Sequence, residues 1–361
     1  MPVLTVEHVT TYQYRRVVGF GEHRMMFRPR DSADQRVLDW QLVIVPKPIE
    51  LRSVLDAFGN VLTIARFAGR AKELRFENRL TVDHSTVAPT HESLSPYART
   101  WPFTYDQDDA ADLARVRERH YDDPDHVVDA WARGFLHAHA NGSTLDLLTD
   151  MTREIRRSFT YSARYEEGVQ EPARTLALRN GTCRDYAVLM MEAVRALGLA
   201  ARFVSGYVYS PGADGTAHVG GGSTHAWVEV FLPGAGWTEF DPTNAIIGSR
   251  DLIRVASVRD WHQAVPLAGT WTGFPADSIG MTVSVKVAMH KQEVDEGAPS
   301  GDKAAATGRP DPVADLPVST APSGAPPARE KAQVVTLQKR DQPADAAATR
   351  LPLNRSTLSA V

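Results

Sequence analysis

The chain has 361 residues, 43% hydrophobic and 23% charged, with a formal net charge of −4. That length allows two compact units plus a tail, and the near-neutral balance gives no reason to expect nucleic acid or an anionic membrane surface as partner. A single cysteine, Cys183, excludes an intrachain disulfide and a cysteine-rich metal site.

The amino terminus, MPVLTVEHVTTYQYRR, has no basic segment leading into an apolar one and reads as a first strand. With no run of about 18 apolar residues anywhere, a cytoplasmic location and no membrane partner are the expectations. The first hundred residues continue as strand. Residues 37–45, 61–67 and 73–84 are rich in β-branched and aromatic side chains, punctuated by Pro46, Pro48, Gly59-Asn60 and Gly69. An antiparallel β domain over 1–105 is expected.

Helices follow. Asp123-Pro124 predicts a helix start with Asp as N-cap and Pro at the first helical position. Ser143 and Asp146 predict a capping box for a second helix with the stripe Leu147, Leu148, Met151, Ile155. His137 and His139, two apart on a helix, point to different faces and do not suggest a metal site. Residues 281–289 alternate apolar and polar as a half-buried strand does. Beyond it, 291–361 carry nine of the 23 prolines, no aromatic residue and balanced charge. That composition predicts a disordered tail with an interaction segment near Val334–Leu337.

Chemistry is concentrated between Thr175 and Asn244. Tyr186, Leu189, Met190, Ala193, Val194 and Leu197 form a helical stripe that ends at Gly198. Thr182 and Asp185 have capping-box spacing, which places Cys183 in the first turn. There the free N–H groups and the helix dipole favour a thiolate and can hold an oxyanion. Gly181 is expected to leave room for substrate.

The run 220–224 lacks the strand–loop–helix context of a phosphate loop and reads as a loop leading into His225. Alternation from His225 to Leu232, a turn at 233–236 and a return from Trp237 to Asp241 predict a hairpin. If 232 pairs with 236, then 227 pairs with 241, and Asp241 lies diagonal to His225 on the same face. A thiol, an imidazole to take its proton and a carboxylate to orient the ring make a nucleophilic set. A zinc site from His225, His218 and Asp241 lacks a recognised ligand spacing.

Residues 181–187 (GTCRDYA), 198–207 (GLAARFVSGY), 224–237 (THAWVEVFLPGAGW) and 240–244 (FDPTN) resemble the bacterial transglutaminase-like family. Tyr12-Gln-Tyr14 and the segment 23–30 resemble the β-rich region that precedes the family's core. The resemblance covers about residues 1–290. It implies an α+β fold: an N-terminal antiparallel β domain, a papain-like transglutaminase core over 106–290, and the tail. It further implies Cys183 as nucleophile, His225 as base and Asp241 as its partner. Tyr161, Thr182 and Trp227 are the candidates for oxyanion or substrate positioning. No metal or cofactor is implied.

One departure is noted. Residues 259–264 read RDWHQA where relatives tend to carry Arg-Asp-Tyr-x-Asp-Val, which bears on the substrate and not on the three central residues. The expected activity is thioester formation with a carboxamide or peptide carbonyl, then transfer to an amine or water. The expected substrate is thus a protein, peptide or amide. A hydrolytic cysteine protease or amidase is the first alternative, and a non-catalytic binding or scaffold protein the second.

Overall fold

A computed structural model of the chain describes residues 3–137, 142–162, 168–210, 218–219, 221–290 and 356–359. The β-rich start and the α+β core are both present. Val3–Met25 is one long strand that organises an eight-stranded antiparallel sheet. Its first part lies between Arg70–His84 on one side and Ser278–His290 on the other. Its last part pairs with Val61–Arg66 and Leu267–Thr272. Glu50–Leu55 adds a hairpin partner to Val61–Arg66, turning at Gly59, where φ is 78°.

The core sheet has five strands. Gly236–Asp241, His225–Leu232, Ala201–Val208 and Leu252–Val258 are neighbours in that order, with the short Ile246–Ile247 outside the first. The helix Cys183–Ala196 packs on this sheet and is buried along its length from Cys183 to Arg195. Two of its charged residues are matched inside: Arg195 Nη1 meets Glu192 Oε1 at 2.9 Å, and Nη2 donates to the carbonyls of Ala201 and Arg259. Leu4, Val6, Leu80 and Val82 of the first sheet share one apolar cluster with this helix and sheet. The two units are therefore built around a common interior.

The outer strand of the core sheet, Leu252–Val258, would expose a row of unpaired backbone groups. Two side-chain amides from the first unit cover it. Gln35 takes the N–H of Arg254 at 3.0 Å and donates to its carbonyl at 2.8 Å; Asn60 does the same for Ser257 at 3.0 and 3.1 Å.

Several expectations need correction. The core does not run to residue 290, because Leu267–Thr272 and Ser278–His290 pair with the long strand and join the first sheet. Asp123 caps a helix, but from outside it. Pro124 and Asp125 form a turn, and the helix begins at Val127, whose N–H donates to Asp123 Oδ1 at 2.9 Å. Ser143 accepts from Asp146 N at 3.2 Å and caps Thr144–Ser158, which is half of the capping box expected there.

His137 ends a short 3-10 turn, while His139 lies outside the described residues. The predicted tail, including Val334–Leu337, also lies outside them. The exception is Ser356–Ser359, whose backbone pairs antiparallel with Leu267–Thr272. No helix of the described residues is long and apolar enough to cross a membrane.

Candidate active site

Thr182 and Asp185 close the expected capping box. Asp185 Oδ2 accepts from Thr182 N at 2.8 Å and Thr182 Oγ1 at 3.0 Å, and Asp185 Oδ1 accepts from Gln170 N at 2.7 Å. Cys183 is the first residue inside this start and is 7% exposed. Gly181 serves the same cap. A Cβ there would stand 2.9 Å from Asp185 Cβ and 3.1 Å from Gln170 Nε2, so its missing side chain makes room for the capping carboxylate and not for substrate. Thr182, expected near the substrate, spends both its hydroxyl and its amide on this cap.

The hairpin has the register that sets Asp241 on the face of His225. Leu232 pairs with Gly236 and Val228 with Phe240. Continuing that ladder brings Asp241 to the face of His225, and His225 Nε2 donates to Asp241 Oδ2 at 2.8 Å. Both side chains are fully buried. With Nε2 taken, Nδ1 is the nitrogen left for the sulfur, and it makes no full hydrogen bond elsewhere.

The electrostatics follow from that placement. Burial alone would push the Cys183 thiol up, but the contact and charge of His225, with Arg184 behind them, hold it below the ordinary value. Burial would lower His225; Asp241, by charge and hydrogen bond, and then the cysteine outweigh it and raise the imidazole to about 10. Asp241 stays ionised against its burial through His225, Asn244 and the N–H of Thr243. The directions agree on a thiolate–imidazolium pair steadied by a carboxylate.

Tyr161 is brought to the cysteine. It pairs with Gly181 in a two-residue parallel bridge, and burial followed by the neighbouring Cys183 raises its phenol above the ordinary range. Trp227 is placed differently from expectation. It is fully buried, stacks on the His225 ring at 28° with centroids 5.9 Å apart, and donates to Glu239 Oε1 at 3.3 Å. With no surface for a substrate, what it positions is the imidazole.

Two residues were not singled out from the sequence. Gly206 lies opposite His225, and a Cβ there would stand 2.7 Å from the Trp227 ring. Asn244 donates to Asp241 Oδ2 at 2.8 Å. The departing segment 259–264 forms a 3-10 turn capped by Asp260, which also meets His120 Nδ1 at 2.9 Å. His218 faces Asp251 at 3.6 Å, not His225. Among the described residues, no group of three His, Cys, Asp or Glu is placed to hold a metal ion.

Comparison with known proteins places the chain. Residues 130–242 match the transglutaminase-like superfamily, and residues 4–83 match the bacterial transglutaminase-like N-terminal region. An uncharacterized protein of Mycobacterium tuberculosis is 30% identical over 277 residues, which is 73% of this chain and 86% of that protein. A protein-glutamine gamma-glutamyltransferase of Pseudomonas aeruginosa is 35% identical over 79 residues, 20% of this chain and 11% of its own. A crystal structure from Cytophaga hutchinsonii, provisionally assigned as a cysteine protease, aligns with a TM-score of 0.62 at 20% identity, over 81% of this chain and 92% of that one. The matches reach both the β unit and the core, and the mycobacterial likeness spans most of the chain. The protein belongs to the transglutaminase-like superfamily and carries the bacterial N-terminal region of that group.

Proposed function

We propose that the protein is a thiol acyl-transfer enzyme. Cys183 attacks a carboxamide or peptide carbonyl to form a thioester, and the acyl group then passes to an amine or to water. The observation that carries this reading is the imidazole of His225, bonded to Asp241 through Nε2 with Nδ1 left for the sulfur. In the first half-reaction the thiolate attacks, and His225 gives its proton to the departing nitrogen. In the second it takes a proton from the incoming amine or water. The N–H of Cys183, at the open end of its helix, and the hydroxyl of Tyr161 are the donors assigned to the oxyanion. The name of the Pseudomonas relative favours glutamine side chains as acyl donors and amines as acceptors.

The test is to incubate the protein with a glutamine peptide and a tagged primary amine, following amine incorporation and ammonia release together. Wild type should form both products and Cys183→Ala neither. Ammonia without incorporation would leave an amidase, and cleavage of the peptide bond a protease. Equal labelling of wild type and His225→Ala by a thiol-reactive probe would remove the activated thiol and leave the non-catalytic reading.

A further inference from the structure

The turn that follows Asp241 carries a side chain to which no role is assigned. Asn244 Nδ2 donates to Asp241 Oδ2 at 2.8 Å and to the carbonyl of Val219 at 3.1 Å, and its Oδ1 accepts from Val219 N at 2.7 Å. The same Nδ2 lies 3.4 Å from His225 Nε2. One amide thus uses both of its N–H groups and its oxygen on two targets: the carboxylate behind the imidazole, and the loop six residues before His225. Ala245, next in the chain, has φ of 57°, a left-handed conformation that a side chain adopts only when its surroundings enforce it.

The loop is held at two further points. Gly222 O accepts from Val285 N at 3.1 Å, and His218 N donates to Ser210 Oγ at 2.8 Å. Asp241 is fully engaged as well: Oδ2 accepts from His225 and Asn244, and Oδ1 from Thr243 N at 2.8 Å.

We infer that Asn244 is a positioning residue of the proposed site, holding Asp241 against His225 and latching the backbone of Val219 to that same carboxylate. The inference rests on the acyl-transfer reading. A side-chain amide suits this place because it donates and accepts at once. A carboxylate would set a second negative charge beside Asp241, and an apolar residue would free both the loop and the carboxylate. The donated bond also helps keep Asp241 ionised in its buried setting.

The test is the pH dependence of iodoacetamide alkylation of Cys183 in wild type, Asn244→Ala, Asn244→Asp and His225→Ala, with melting temperatures measured alongside. In wild type, alkylation falls at acid pH as the Cys183 thiolate takes a proton, and how low that limb lies depends on Asp241 holding the imidazolium beside the sulfur. Removing a hydrogen bond to a charged group should move that acid limb up by about one pH unit in Asn244→Ala, and at least as far in Asn244→Asp. A residue that only braces the loop would lower the melting temperature and leave the acid limb in place, which would overturn the inference. Should Asn244→Ala fail to fold, Asn244→Asp decides, because it retains the acceptor for Val219 N. If wild type and His225→Ala share one profile, the acyl-transfer reading itself has failed.

Discussion

At the scale of single residues the site is a set of exact fits. Asp241 holds one nitrogen of His225, and Trp227 lies against the ring's face. Asp241→Ala removes the acceptor that holds the imidazole. Turnover of the peptide–amine reaction should fall on the order of 10⁴-fold, the scale found for the orienting carboxylate of serine triads. A loss under tenfold would mean that the carboxylate does not orient the ring. Gly206→Ala tests the other support. The new Cβ would stand 2.7 Å from the Trp227 ring and closer still to the carbonyl of Ile253. Overpacking of this kind costs about 1–3 kcal/mol, read as a lower urea midpoint together with slower alkylation of Cys183. The helix-start place of Cys183 and the pairing of His225 with Asp241 could be read from the chain because each residue stands in a distinctive local pattern. Gly206 and Asn244 could not. Their importance arises only when strands far apart in sequence are side by side, which no local period encodes.

At the scale of elements, two devices carry the geometry. The first is the cap of the cysteine helix. Asp185→Ala removes the acceptor of Thr182 N and Gln170 N, both buried, besides the N-terminal cap itself. The expected cost is about 2–4 kcal/mol by urea denaturation, with Cys183 losing its fixed place. A cost below about 0.5 kcal/mol, the scale of a neutral surface change, would show the cap to be incidental.

The second device is a charge cluster on the face of the sheet that carries Trp227. Arg254 meets Asp34 at 2.8 Å, Glu239 at 3.1 Å and Glu229 at 3.3 Å, and Glu239 in turn accepts from Trp227. Arg254→Met would leave Asp34 and Glu239 without this guanidinium while Glu229 keeps Arg202 at 2.6 Å, a loss of about 3–5 kcal/mol by urea denaturation for breaking a buried pair. The hairpin register was legible because one pairing, 232 with 236, brought two chemically meaningful residues to one face. The helix start at Val127 was misread because Asp and Pro announce a turn as readily as a first helical turn, and Asp123 can cap across that turn.

At the scale of the whole molecule, the strands at 267–290 return to the first sheet, and one apolar interior runs through both units. Such a closure is invisible to local patterning. The alternation in 281–289 announced a strand but could not name its partner.

The joint also carries titratable groups. His8, whose Nδ1 lies 2.9 Å from Tyr207 of the core sheet, is held neutral by burial, its pKa lowered to about 3; burial lowers His23 and His84 as well. Each of these takes a proton in the unfolded chain below about pH 6.5 but resists it in the fold. The unfolded state therefore binds more protons as pH falls, and stability should decline from about pH 6.5 downward. Urea midpoints against pH should show this slope, and a His8→Gln variant should show a shallower one. An unchanged slope would mean that His8 is not neutral in the native protein.

All of this converges on the ionisation of one sulfur, and the single cysteine makes it directly visible. The most direct measurement is the ultraviolet absorbance of the thiolate during a pH titration, taken as the difference between the protein and Cys183→Ser. A thiolate that forms well below the ordinary thiol value of about 8.5, and in His225→Ala forms only at that value or above it because burial is then opposed by Arg184 alone, is the predicted result. A thiolate that forms at or above about 8.5 in both proteins would contradict the account.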